Sequence, residues 1–185
     1  LGGIPLLSWS LRAFGNHPQI STVVVVVSEE YVPRAQELCA AEITLSWQVV
    51  AGGSERRASV CNGLRALSEF TPDIVAIHDG ARPLVSAEVI SDSLAVAKRC
   101  GAALATVGIV DTVKQVAPDR RITATLDRSQ LQLAQTPQTF RYELIRRAHE
   151  QADAEGWAVT DDAMLVERLG HPVHASRGDW QIGRA

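Results

Sequence analysis

Six residues, His78-Asp79-Gly80-Ala81-Arg82-Pro83, follow directly on the apolar run Ile74-Val75-Ala76-Ile77. A buried strand that ends in an acid, a base and two small residues stands where open α/β sheets hold their ligands. Asp79 offers a hard oxygen to a cation, and Mg²⁺ takes only one or two carboxylates, filling its other positions with phosphates and water. Arg82 offers a planar fork of donors matched to a phosphate. Gly80 and Ala81 keep side chains out of the way. The same six residues also read as an ordinary strand exit closed by a surface Asp–Arg pair.

A second candidate lies in Ala51-Gly52-Gly53-Ser54-Glu55-Arg56-Arg57-Ala58-Ser59-Val60-Cys61-Asn62-Gly63, at a strand-to-helix junction. Amides at a helix start point outward, and bare glycines let a flat base or a phosphate approach the main chain. Ser59 stands about one turn into the helix, where its hydroxyl reaches the same ligand. A glycine turn before a basic helix start is the plainer alternative. Arg128, next to Asp127, is either a phosphate clamp or half of a surface pair of little energetic weight. Lys114, Arg120 and Arg121 read as a solvated basic face. The 5 histidines are scattered without metal-ligand spacing, which argues against a zinc enzyme. Neither a G-x-S-x-G elbow nor a Walker-type P-loop is present.

The elements that must position these residues alternate. Pro5 to Phe14 reads as a helix stopped by Gly15-Asn16. Val23 to Val27 reads as a strand buried on both faces. A helix over Val32–Ala41, a strand near Trp47–Val50 and a helix over Glu55–Leu67 follow. Next come the strand Ile74–Ile77, a helix over Ala87–Lys98 capped by Ser86, and the strand Ala102–Val107. This order predicts an α/β sheet, doubly wound, with crossover helices on both faces. From about 111 to 136 the pattern changes to two short strands around Pro118-Asp119, with no helix between. Such a hairpin often projects as an arm whose polar surface needs a partner, so it is read as a dimerisation arm, closed by Ala134-Gln135-Thr136-Pro137-Gln138, the alternative being a hairpin folded over its own sheet. Helices resume at Tyr142–Ala154 and Asp162–Leu169, the latter with Thr160 as N-cap and Asp161 and Asp162 at its positive end.

Composition sets the bounds. At 185 residues, 46% hydrophobic and 21% charged, the chain suits a single domain over 1–185. A net charge of −3 disfavours general nucleic-acid binding, and no apolar stretch is long enough to span a bilayer. Cys39, Cys61 and Cys100 are odd in number and widely spaced, and read as small buried hydrophobes.

Taken together, the motifs resemble a family, the 2-C-methyl-D-erythritol 4-phosphate cytidylyltransferases. The run is Gly2-Gly3-x-Pro5-Leu6-Leu7, Gly52-Gly53-x-Glu55-Arg56-x-x-Ser59-Val60-x-Asn62-Gly63, His78-Asp79-x-Ala81-Arg82-Pro83 and Asp111-Thr112-x-Lys114. It continues through Leu126-Asp127-Arg128, Gln135-Thr136-Pro137-Gln138 and Thr160-Asp161-Asp162-Ala163. The resemblance implies a Rossmann-like nucleotidyltransferase sheet whose β-arm embraces a second subunit, and transfer of CMP from CTP to a polyol phosphate with Mg²⁺. It implies that Gly52, Gly53, Ser54 and Ser59 surround the cytidine and that Asp79 holds the metal against the triphosphate. Arg82, Thr112 and Arg128 then grip the acceptor phosphate, the last two from the partner's arm, and Thr136 shapes that pocket. It further implies a cytoplasmic homodimer, or a plastid one where a transit peptide precedes Leu1, without nucleic-acid or membrane partners.

Several departures accompany it. The family's glycine-rich loop with its Arg, and its Pro-Lys, would precede Leu1. Gln181-Ile182-Gly183 stands where the family has Asn-Ile-Lys, Gly80 replaces a common alanine, and Ser54 stands where an acidic residue occurs. On that ground these 185 residues taken alone are expected to turn over slowly or not at all. A ribitol 5-phosphate cytidylyltransferase and a non-catalytic nucleotide-binding relative are the two alternatives.

Overall fold

The computed structural model describes residues 1–183. In chain order the elements are α1 (Leu6–Gly15), β1 (Thr22–Val27), α2 (Val32–Glu42), β2 (Ser46–Ala51), α3 (Arg56–Leu67), β3 (Ile74–Ile77) and α4 (Ala87–Cys100). Then come β4 (Ala102–Gly108), β5 (Lys114–Val116), β6 (Ile122–Thr125), β7 (Gln132–Arg141), α5 (Tyr142–Glu155), α6 (Asp162–Arg168) and β8 (His174–Arg177). The expected alternation is therefore present, with helices on both faces. Strand alternation divides the core accordingly. Val75 and Ile77 of β3 pack with Phe140, Ile145 and Leu165 beneath α5 and α6, whereas Ile74 and Ala76 pack with Ile90 and Leu94 of α4.

Local chemistry explains the helix ends. The Ser86 hydroxyl accepts the Val89 N–H to start α4, and Gly101, at φ 90°, takes the backbone out of it where a β-carbon would be strained. α6 begins differently from the expectation. Its N-cap is Asp161, not Thr160: the Asp161 carboxylate accepts the Met164 N–H at 3.0 Å. The amide of Gln138 donates to the other Asp161 oxygen at 3.1 Å, which fixes the cap in place.

Three features of the sheet depart from the sequence reading. First, β7 was not foreseen, and it is central: the order is β3-β7-β4-β8, with β7 antiparallel to both neighbours. The arm therefore comprises β5 and β6 and ends before Gln132, and Gln135, Thr136 and Gln138 belong to the sheet. Their polar side chains look like turn chemistry, yet they are buried and hydrogen-bonded. Gln135, for example, exchanges bonds of 2.8 and 3.1 Å with the backbone of Asp179. Second, among the described residues β1 pairs only with β2, in parallel, and of its valines only Val25 is fully buried. Third, β1 and β3 are not hydrogen-bonded to each other. Both line a groove of about 400 Å³ whose lining includes Leu11, Phe14 and Leu94 and which reaches His78 and Gly80.

Candidate active site

The end of β3 delivers the His78–Pro83 loop, and the side chains of that loop are tied down by one another. The carbonyl of Arg82 can only accept, so His78 Nε2 donates to it at 3.1 Å. That leaves Nδ1 as the acceptor for the Thr136 hydroxyl at 3.0 Å, and the same Thr136 oxygen accepts the Asp79 N–H at 3.2 Å. Thr136 thus anchors the loop from β7. Burial disfavours the charged imidazole and pushes His78 down to about 4, so the ring is neutral and fully used. Between the two pKa values the unfolded chain binds the extra proton. The stability this ring confers is therefore complete above about pH 6.5 and lost as pH falls toward 4, on the order of 3 kcal/mol. We expect the urea midpoint to drop across that window, and to drop distinctly less in His78→Gln.

Asp79 and Arg82 form an ion pair, with Arg82 Nε donating to Asp79 Oδ2 at 3.0 Å, and Arg82 Nη1 donates to the Ile182 carbonyl at 3.2 Å. Two donors of the guanidinium are thus spent on the fold, and the remaining fork edge is what a phosphate would meet. Asp79 Oδ1 lies 4.0 Å from Arg56 Nε, too long for a hydrogen bond, and keeps its lone pairs. Among the described residues no cluster of three or more His, Cys, Asp or Glu surrounds a point. A single, partly exposed carboxylate fits Mg²⁺ brought in with phosphates and fits poorly a cation that needs a full protein cage.

The glycine turn before α3 is shaped by close contacts. A β-carbon on Gly52 would meet the Ser59 hydroxyl at 2.8 Å, and one on Gly53 would meet the Ala58 β-carbon at 2.4 Å. The Gly53 N–H donates to Ser59 Oγ at 3.1 Å, and Ser59 donates in turn to the Glu55 carbonyl at 3.2 Å. Ser54 is exposed at the tip. The turn and the His78–Pro83 loop meet through Arg56, a residue to which the sequence reading assigned no role. Its guanidinium lies 2.7 Å from Asp162 Oδ2 and 4.0 Å from Asp79 Oδ1.

Behind Arg56 stands a buried relay that the scattered histidines did not suggest. His149 Nε2 donates to Asp162 Oδ1 at 3.1 Å, and His149 Nδ1 lies 3.2 Å from Cys61 Sγ. Burial opposes the charged ring, but the hydrogen bonds to Asp162 and Cys61 prevail and push His149 up to about 9. Gln138 completes the setting, accepting the N–H groups of Asp162 and Ala163 at 3.1 Å each. The only sequence signal for this relay was the pair Asp161-Asp162, read above as complementing the helix dipole. Asp161 does cap the helix, while Asp162 turns inward. Cys61 is accordingly a polar partner, whereas Cys39 is the buried apolar filler expected and Cys100, half-buried, packs beside Val96, Ala97 and Ala103.

Thr112 and Arg128 lie elsewhere. Arg128 donates to the Val110 carbonyl on the arm itself. Among the described residues no hydrogen bond or ion pair joins either residue to Asp79 or Gly52 within one chain.

A family model described as 2-C-methyl-D-erythritol 4-phosphate cytidylyltransferase matches residues 1–181. The protein of that name from Geobacter metallireducens is 45% identical over 185 residues, covering 98% of this chain and 79% of its own. The one from Geotalea uraniireducens is 44% identical, covering 98% and 78%. Among solved structures, 4-diphosphocytidyl-2C-methyl-D-erythritol synthase from Anaerococcus prevotii superposes with a TM-score of 0.94 at 25% identity, covering 100% of this chain and 82% of its own. The 2-C-methyl-D-erythritol 4-phosphate cytidylyltransferase from Thermus thermophilus gives 0.83 at 33% identity, covering 100% and 83%.

Proposed function

The chain belongs to the 2-C-methyl-D-erythritol 4-phosphate cytidylyltransferase family, and from that premise we propose which residues carry each part of its reaction. CMP passes from CTP to 2-C-methyl-D-erythritol 4-phosphate, in isoprenoid synthesis. An oxygen of the acceptor phosphate attacks the α-phosphorus, the bond to the bridging oxygen breaks, and pyrophosphate leaves. Two anions must be held in line while charge builds, so positioning and fixed cations do the work and no covalent nucleophile is needed.

Gly52 and Gly53, with Ser54 and Ser59, receive the cytidine. The bare main chain admits a flat base, and amides and hydroxyls read the amino and carbonyl edge of cytosine. Asp79 holds Mg²⁺, which when bound offsets the triphosphate charge. The remaining fork edge of Arg82 faces the acceptor phosphate, and Thr136 shapes the pocket by fixing the loop. The observation that carries this assignment is the Arg56 bridge, which sets the glycine turn beside Asp79.

Thr112 and Arg128 complete the acceptor site from a second copy of the chain. The exposure of Val116 (54%) and Ile122 (61%) on a two-stranded arm supports that partner, since such a hairpin is marginal when uncovered. None of the described helices is long and apolar enough to cross a membrane. The bacterial relatives favour a cytoplasmic enzyme.

The test is pyrophosphate release from CTP by the protein expressed from its complete reading frame, with methylerythritol 4-phosphate and ribitol 5-phosphate offered in parallel. Turnover with the first alone is expected, and preference for the second, or silence with both, overturns the reading. The shared site is tested separately by mixing Arg128→Ala with Asp79→Ala subunits. Each parent is nearly inactive, and the mixture is expected to regain about a quarter of wild-type activity through heterodimers with one intact site. A mixture no better than its parents removes Arg128 from the partner's site.

A further inference from the structure

A shallow pocket of about 160 Å³ opens on the far side of the relay, between α3 and α5. It is lined by Cys61, Leu64, Tyr142, Arg146, His149 and Glu150, among others. The pocket exposes a thiol and an imidazole, with a carboxylate behind them: Cys61 Sγ to His149 Nδ1 is 3.2 Å, and His149 Nε2 to Asp162 Oδ1 is 3.1 Å. The cytidyl transfer derived above uses neither the thiol nor the imidazole. A carboxylate that holds an imidazolium against a neighbouring sulfur is an arrangement that favours the nucleophilic form of a cysteine. We propose that Cys61 is a covalent control site, open through this pocket to small neutral carbon electrophiles and linked through Asp162 and Arg56 to the nucleotide site.

The chemistry balances without an oxidant. The sulfur lone pair forms an S–C bond, the leaving group departs with the electrons of the broken bond, and the thiol proton is released to solvent. Of the basic side chains around the mouth, Arg146 pairs with Glu143 at 2.7 Å and also with Glu150, and Arg57 pairs with Asp153. Arg65 donates to the Asn62 amide oxygen at 3.3 Å, while Glu150 and Asp153 balance Arg65 and Arg146 in the lining. Such a rim favours a neutral reagent over an anion. The size of the pocket admits a few heavy atoms, and Tyr142 bounds it from α5, its hydroxyl donating to the Leu64 carbonyl at 2.9 Å. A group added to the sulfur occupies the space between Cys61 and His149. The displaced ring then loosens Asp162, whose other oxygen holds Arg56 at 2.7 Å. The control claim rests on the reading of the Gly52–Gly53 turn as the CTP site, whereas the reactivity of the thiol does not.

The experiment is limited labelling of the folded protein with iodoacetamide, read by peptide mass, followed by CTP affinity in MgCl₂. Although Cys100 is the more exposed thiol, Cys61 is expected to react first, by more than about tenfold, and to slow by a similar factor in His149→Gln. Labelling is expected to weaken CTP binding by about tenfold, while Cys61→Ser keeps its affinity in the presence of the reagent. Cys100 reacting first, or Cys61 reacting only after unfolding, overturns the site. Labelled protein that binds CTP as well as unlabelled overturns the control claim. Unlabelled protein that fails to bind CTP overturns the nucleotide reading and the control claim with it, while the labelling order still decides whether the thiol is activated.

Discussion

Asp79→Asn lowers the rate of pyrophosphate release by about 10²–10³-fold, the scale of losing one preorganised electrostatic contact in the transition state. The substitution is nearly isosteric, and its amide oxygen still accepts from Arg82 Nε, so the loop keeps its 3.0 Å contact. Arg82 also keeps its bond to the Ile182 carbonyl. What disappears is the negative charge, and with it the affinity for a hard divalent cation. The expected signature is thus a fall in kcat together with a rise in the Mg²⁺ concentration needed for half-maximal rate, at a melting temperature close to wild type. A rate within about twofold of wild type would sink the metal assignment. It would leave Asp79 as the structural partner of Arg82, the plainer reading of the same loop.

Asp162→Ala is the substitution with the largest expected effect on stability, about 3–5 kcal/mol, read from urea unfolding near neutral pH. The carboxylate is 2% exposed and serves two cations at once, His149 from α5 and Arg56 from the start of α3. Removing it strands an imidazolium that is itself buried. The wild-type protein also carries a pH signature of this bond. His149 is pushed up to about 9 in the fold, so its stabilising share is complete below about pH 6.5 and lost as pH rises toward 9. That alkaline loss is expected to vanish in Asp162→Ala. Adding His149→Leu should recover part of the stability, because the stranded charge goes with it. A cost below about 1 kcal/mol, or an alkaline limb unchanged by the substitution, would mean that His149 is neutral in the fold.

Much of this molecule is legible along the chain because the signals are local. Five consecutive valines, a serine three residues before the amide it caps and a glycine pair before a helix each report on their own few residues. So does the acid-to-base spacing of Asp79 and Arg82, which meet as an ion pair within one turn. The failures share a different cause. β7 carries Gln135, Thr136, Pro137 and Gln138, whose polarity suggested a turn. Only distant partners, the Asp179 backbone, His78 and the start of α6, make those side chains at home in a sheet.

The sequence by itself determined the order of elements, the two loops that carry the candidate chemistry and, through seven motifs in register, the family. Only the tertiary structure decided how those loops meet. Arg56 and Asp79 stand 23 positions apart, Cys61 and His149 88, and Arg82 and Ile182 100. Periodicity and capping act over a few residues, whereas a hydrogen bond needs only that two atoms lie about 3 Å apart in space. Which histidine is buried against which carboxylate is therefore set by the packing of α3, α5 and α6, and it becomes visible only once they are folded together.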